Sequence, residues 1–139
     1  MGTATTAQTL LHGELTNEII GSFFEVYNEL GYGFVESGYQ RAPPLALKAR
    51  GIRSEREVAL AVHYRGMPVG DYRADLVVEG RVIVESKVAD KIISVHELQL
   101  LNYLKGTGLN VGLLLNFGPR ATFRRMILTS PKEGSVVIR

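Results

Sequence analysis

The sequence contains no cysteine, and this absence excludes several kinds of chemistry. Disulfide bonds, thiolate catalysis and zinc sites built from thiolates all require cysteine, so nothing here calls for an oxidising compartment. A run of about 18 apolar residues, the minimum for a membrane-spanning helix, is also missing, as is the charged and then apolar pattern of a signal peptide. We therefore expect a cytoplasmic protein without a membrane partner.

A large excess of charge of one sign is missing as well. Sixteen basic and fourteen acidic residues give a net charge of +2, which permits nucleic-acid binding without indicating it. Basic residues do cluster at two places along the chain, and each cluster could face phosphates or be ordinary solvated surface charge. The clusters are Lys48, Arg50, Arg53 and Arg56, and then Arg120, Arg124 and Arg125.

Apolar residues at helical spacing predict a first helix over residues 15–30, which Gly31 ends. A second helical segment covers residues 35–50 and contains two consecutive prolines, Pro43 and Pro44. Because proline costs about 3 kcal/mol in a helix interior, we expect a break there and a new short helix from Leu45.

Short apolar segments between turn residues predict an antiparallel meander of three strands, over residues 58–64, 72–78 and 81–88. A helix over residues 95–105 and an almost wholly apolar strand over residues 109–117 follow. Such a strand is typical of the centre of a sheet, parallel to the strand before the helix.

The expected fold class is therefore α/β: a mixed β-sheet, formed by the meander and a βαβ crossover, with flanking helices. Residues 123–128 predict an edge strand, and residues 136–138 are a candidate for one more strand. We expect a flexible tail over residues 1–12 and a single domain over residues 13–139.

Charged residues inside two of the predicted strands need a physical explanation. Asp75 lies in one strand, and Glu85, Ser86 and Lys87 lie in the next. Burying a charge costs several kcal/mol unless it is paired or binds a metal. A divalent metal site would explain this pattern, and a structural salt bridge from Lys87 to either carboxylate is the alternative.

The metal site is possible only if both carboxylates lie on one face of the sheet. If residues 79–80 alone form the turn, Asp75 and Glu85 point to opposite faces. If residues 78–80 form the loop, the register moves by one residue and Glu85 comes diagonally onto the face of Asp75. A bulge near Ala74 would have the same effect.

On the helix that follows, three polar residues share one stripe because they are three and then four residues apart: His96, Gln99 and Tyr103. Leu98, Leu101 and Leu104 are assigned to the apolar side. The polar stripe could face the carboxylates, or it could be an ordinary, partly exposed helix face.

Several of these segments resemble one family. Gly33, Glu36 and Tyr39 match the signature of the small bacterial GxxExxY proteins. The resemblance covers residues 14–128, and its further matching segments are residues 72–76, 84–87, 96–104 and 112–118. Proteins of this kind are similar to the PD-(D/E)XK nuclease superfamily, which has a restriction-endonuclease-like core.

The resemblance implies that Asp75, Glu85 and Lys87 are catalytic and that Glu36 is a further acid beside them. Hard oxygen donors, including the carbonyl of Ser86, suit Mg²⁺ or Mn²⁺.

Gln99 and Tyr103 look like the substrate-contacting Q-x-x-x-Y element of recombination nucleases, and we group His96 with them. Nucleic acid is then the expected partner, and a homo-oligomer is possible because a chain of 139 residues leaves little room for a recognition domain. The function that the resemblance implies is metal-dependent hydrolysis of phosphodiester bonds in DNA or RNA. A catalytically inactive binding or assembly module and an enzyme acting on small molecules are the alternatives.

Overall fold

The computed structural model describes residues 11–130 and 135–138. The predicted tail, residues 1–12, lies almost entirely outside the described residues. Within the described ranges, no helix has both the length and the apolar character needed to cross a bilayer.

The first helix, α1, covers Gly13–Leu30 and begins slightly earlier than predicted. Its buried side chains include Ile19, Phe23 and Val26, which recur at the spacing of an amphipathic helix. Gly31 ends the helix as predicted, with a φ of 73° that favours glycine, and its N–H donates to the carbonyl of Tyr27.

The second helix, α2, covers Glu36–Ala49 without interruption, so the predicted break at Pro43 and Pro44 is wrong. Proline fixes a φ that a helix accepts, but it removes the N–H that would bond the carbonyl four residues earlier. The carbonyl that Pro43 leaves free belongs to Tyr39, and the hydroxyl of Ser86 donates to it over 3.4 Å. The ring of Pro43 is itself buried, so packing offsets part of the cost of the lost hydrogen bond.

The third helix, α3, covers Ser94–Thr107 and ends at Gly108, which has a φ of 75°. Of its three leucines assigned to the apolar side, Leu104 is fully buried, whereas Leu98 is 56% exposed. Residues spaced three apart on a helix differ by about 60° in direction around its axis, so residues 98 and 104 point about 120° apart and do not share one face. The fully buried partner of Leu104 is Leu100, four residues earlier.

Six strands form one mixed sheet in the order β1-β4-β5-β6-β7-β8, in which only β5 and β6 are parallel. The predicted meander is β1, β4 and β5, and the predicted crossover runs from β5 through α3 to β6, so the expected fold class is confirmed. The strands are β1 (Ser54–Leu60), β4 (Tyr72–Val78), β5 (Val82–Lys87), β6 (Val111–Phe117), β7 (Ala121–Ser130) and β8 (Ser135–Ile138).

Two strand predictions need correction. The strand predicted over residues 58–64 begins at Ser54 and ends at Leu60. The prediction missed its first half because β1 lies at the edge of the sheet, where exposed residues leave no apolar pattern. Residues beyond it form a separate two-stranded ribbon, β2 (His63–Tyr64) and β3 (Met67–Pro68). The strand predicted as an edge over residues 123–128 is β7, which pairs with β8 on its outer side.

Helices cover both faces of the sheet. One apolar cluster packs beneath α1 and α2, and a second packs beneath α3. All seven residues of β6 are buried, as predicted for a central strand. The site described below lies where β4 and β5 run between α2 and α3.

Candidate metal centre

The turn between β4 and β5 sets the positions of the two strand carboxylates. Leu76 pairs with Val84 and Val78 with Val82, so the loop consists of residues 79–81. Both registers considered from the sequence are therefore wrong. The observed register makes Asp75 and Glu85 the next residues beyond the last pair, on neighbouring strands.

The two carboxylates are linked through backbone amides. The N–H of Asp75 donates to Glu85 Oε2 over 2.7 Å, and the N–H of Ser86 donates to Asp75 Oδ2 over 3.0 Å. The pairing of β4 with β1 is interrupted at Asp75. The residue opposite it is Glu57, whose φ is 53°, and these two residues are not paired although their neighbours on both sides are. The pairs on either side of this interruption keep the same register, so the bulge considered near Ala74 is not observed.

Burial makes this pair of acids electrostatically costly. Glu85 is only 3% exposed. Desolvation, and then the charge of Asp75, raise the pKa of Glu85 from 4.5 to about 8. Desolvation also raises the pKa of Asp75, against the opposing effects of the Ser86 amide and the Lys87 charge. A divalent cation bound here would offset the cost of keeping both acids ionised.

Lys87 extends from the end of β5 toward α3. Its Nζ donates to Gln99 Oε1 over 3.0 Å, and Gln99 Nε2 donates to the hydroxyl of Tyr103 over 3.2 Å. In the described part of the chain Lys87 forms no ion pair with Asp75 or Glu85, so the alternative of a structural salt bridge is wrong. Both acids raise the pKa of Tyr103, although its burial is the larger cause.

Glu36 begins α2 and remains exposed. Its charge is the smallest of the influences that raise the pKa of Glu85, so Glu36 lies within electrostatic range of that carboxyl. One helical turn later, Gln40 Nε2 donates to Asp75 Oδ1 over 3.4 Å. Sequence reasoning missed Gln40, and its spacing of four residues from Glu36 is the signal that could have found it.

His96 lies at the start of α3. Its Nδ1 accepts the N–H of Ile93 over 3.2 Å and so caps the helix. Burial and the nearby charge of Lys87 lower the pKa of His96, while Glu36 acts in the opposite direction. His96 therefore lies within electrostatic range of Lys87 and Glu36, which flank the carboxylate pair.

Tyr39 gives the G-x-x-E-x-x-Y pattern a structural explanation. Its hydroxyl donates to the carbonyl of Gly31 over 2.5 Å and accepts the N–H of Phe34 over 3.2 Å. Its ring stacks on Phe117 of the central strand, with centroids 4.5 Å apart. Tyr39 thereby fixes the loop that leads into Glu36 against the core.

Ser86 connects this helix to the carboxylates. Its amide holds Asp75, and its side chain, on the opposite face of β5, donates to the Tyr39 carbonyl. The same residue therefore stabilises both the uninterrupted α2 and the orientation of Asp75.

The donor set fits a hard divalent cation. Among residues 11–130 and 135–138, no cationic side chain forms an ion pair with the carboxylate of Asp75 or Glu85. Such carboxylates are oxygen donors of the kind that Mg²⁺ and Mn²⁺ prefer. Within the described residues, however, no three or more His, Asp or Glu side chains converge closely enough to hold a metal ion by themselves. The protein side chains would thus supply two donors, and other oxygen donors would complete the coordination.

Each predicted basic cluster contains at least one arginine that forms an ion pair with an acid. Arg50 bonds Glu18 over 2.8 Å and Glu25 over 3.1 Å on the exposed side of α1. Arg124 Nε lies 3.2 Å from Glu97 Oε2. These two arginines are therefore held by acids and do not form a free phosphate-facing rim.

Comparison with known proteins gives one family. The family model of the PD-(D/E)XK nuclease superfamily matches residues 13–126. No curated protein matches the sequence. A solved structure titled "Crystal structure of SSO0001" is similar at 20% identity with a TM-score of 0.49, covering 82% of this chain. This chain spans 58% of that protein's length. Because the family match extends over most of the sequence, the chain belongs to the PD-(D/E)XK nuclease superfamily.

Proposed function

We propose that this chain is a metal-dependent nuclease of the GxxExxY type that hydrolyses phosphodiester bonds of DNA or RNA. The observation that carries the proposal is the adjacency of Asp75 and Glu85, beside a lysine whose ammonium group is held by an amide and not by a carboxylate. Membership in a superfamily whose nucleases generally use divalent metals supports the same conclusion.

In this proposal Asp75 and Glu85 hold Mg²⁺ or Mn²⁺, with the carbonyl of Ser86 as a further donor and Glu36 acting from the start of α2. When bound, such an ion polarises the scissile phosphate and makes a water molecule more acidic. The Ser86 amide and Gln40 keep the Asp75 carboxylate in one orientation. This fixed orientation means that little reorganisation is needed when substrate arrives.

Lys87 stabilises the negative charge that develops on the phosphate during hydrolysis. Gln99 holds the Lys87 ammonium group at the α3 side of the site, and Tyr103 in turn orients Gln99. These two residues, together with His96, position the substrate strand along the start of α3.

The test is cleavage of end-labelled single-stranded and double-stranded DNA and RNA in Mg²⁺ or Mn²⁺. Metal binding is measured in parallel by calorimetry. We expect Asp75→Asn to lose both metal binding and cleavage. Lys87→Ala should keep metal binding but cleave about 100-fold more slowly. Lys91→Ala, at a nearby exposed lysine, is the matched control and should behave as the unaltered protein.

The proposal is wrong if calorimetry shows the metal site occupied and none of the four substrates is cleaved. A module that uses the fold for binding or assembly without catalysis is the second candidate. The exposed position of Glu36 and the lack of a third converging acid among the described residues favour it. Absence of any heat on titration with Mn²⁺, in both the unaltered protein and Asp75→Asn, would support this module.

A further inference from the structure

An open groove of about 680 Å³ lies between α3 and the end of β1. One stripe of α3, spaced three, four and three residues apart, forms one wall: Val95, Leu98, Asn102 and Lys105. His63 and Tyr72 contribute to the opposite wall. Val95 and Leu98 are 66% and 56% exposed, although apolar residues of a helix normally face the core.

The groove continues into the candidate metal centre. Gln99 and Tyr103 line it, and Gln99 also accepts the hydrogen bond from Lys87. A strand whose phosphate lies beside Lys87 would therefore bring its neighbouring nucleotide to the mouth of the groove.

The lining has the chemistry that recognises a nucleobase. Tyr72 and Tyr103 offer aromatic rings on which a base can stack, and Asn102 offers an amide for hydrogen bonds to base edges. Among the described residues that line the groove none is acidic, and Lys105 is positively charged. The charge therefore suits a polyanion, and the volume is in the range of small-molecule sites.

We propose that this groove binds an unpaired base of the substrate strand, next to the scissile phosphate. The inference rests on the proposed function and narrows it to single-stranded nucleic acid, since a base inside a duplex is stacked and paired and cannot enter the groove.

Binding can be tested without cleavage by fluorescence anisotropy in a metal chelator. The probes are an oligothymidylate, a strand of the same length in which every nucleotide is abasic, and a duplex. We expect the oligothymidylate to bind about tenfold more tightly than the abasic strand, the gain expected from stacking one base. The duplex should bind no more tightly than the abasic strand.

Two matched pairs of variants locate the effect. Tyr72→Ala and Leu98→Asn should each reduce the preference for bases to about twofold or less. Tyr64→Ala and Leu45→Asn, at exposed residues outside the groove, should leave it unchanged. Because the abasic strand carries the same phosphates, general loss of electrostatic binding affects both probes equally.

Equal affinity for the two single strands, or a preference that survives both groove variants, overturns the inference. So does a native mass showing a dimer that Leu98→Asn converts to monomer, because a second copy would then fill the groove. Nuclease activity without base preference would defeat only this inference, whereas base preference without any cleavage in Mn²⁺ would defeat only the proposed hydrolysis.

Discussion

Replacing Glu85 by glutamine should stabilise the metal-free protein at neutral and alkaline pH. The folded-state pKa of Glu85 is raised from 4.5 to about 8, mainly by burial and secondarily by Asp75. Between these two values the folded chain binds a proton that the unfolded chain releases. Stability linked to Glu85 is therefore fully present below pH 4.5 and is lost as pH rises toward 8.

The size of the effect follows from the linkage. Each pKa unit corresponds to 1.36 kcal/mol, so raising the pH from 4.5 to 7.5 removes about 4 kcal/mol of unfolding free energy through this one carboxyl. Glutamine cannot ionise and keeps a similar shape, so the variant avoids this loss. The raised pKa of Asp75 contributes with the same sign and remains in the variant.

The assay is urea unfolding followed by circular dichroism in a metal chelator at several values from pH 5 to pH 8. Unfolding free energy should fall steeply with pH in the unaltered protein and less steeply in Glu85→Gln. Glu55→Gln, at an exposed position of β1, is the control and should keep the steep slope. Equal slopes in the unaltered protein and Glu85→Gln would refute the reasoning.

Three further outcomes follow from the contacts of the site. Ser86→Ala leaves the buried Tyr39 carbonyl without its hydrogen bond and should lower the unfolding free energy by about 1–3 kcal/mol. The same substitution should cost less in a Pro43→Ala background, because alanine restores the helical N–H that bonds this carbonyl. Additive losses of the two substitutions in urea unfolding would contradict this coupling. Tyr39→Phe removes two hydrogen bonds but keeps the stacked ring, and should lower the unfolding free energy by about 1–2 kcal/mol; an unchanged melting temperature would argue against it. Gln99→Ala releases the Lys87 ammonium group and should slow cleavage about tenfold with Mn²⁺ affinity unchanged; a weaker calorimetric affinity would show that Gln99 acts on the metal instead.

The first and third helices and the central strand could be predicted because their signals are local. In α1, apolar residues recur at helical spacing and glycine follows the last turn. In β6, an unbroken apolar run is enough to indicate a strand buried on both faces. Neither prediction depends on what the rest of the chain does.

The uninterrupted α2 could not be predicted because its compensation is distant in sequence. Pro43 removes a hydrogen bond within the helix, and the replacement comes from Ser86, on a strand 43 residues later. A prediction from neighbouring residues includes the cost of the proline but not this distant hydrogen bond. In the structure, the hydroxyl of Ser86 accommodates the proline by bonding the Tyr39 carbonyl.

The loop after β4 could not be predicted either, because it also depends on a contact that is distant in sequence. Glu79 adopts a left-handed φ of 52°, which is uncommon for a residue other than glycine. Its amide donates to the Arg53 carbonyl over 2.9 Å, and its carboxylate accepts the Arg53 N–H over 2.8 Å. Arg53, the residue before β1, thus favours a loop of residues 79–81, and the sequence of the hairpin alone does not contain this contact.

For the candidate site, the sequence could predict that the two carboxylates must share a face, but it could not predict the register that meets this condition. The metal-site hypothesis required Asp75 and Glu85 to share a face of the sheet, and the observed register makes them the next residues beyond the pair of Leu76 with Val84. A displacement of one residue in the turn would have separated them. The contact of Glu79 with Arg53 therefore positions the carboxylates as directly as the bond from Ser86 does, although Glu79 lies four residues from Asp75 and outside the site.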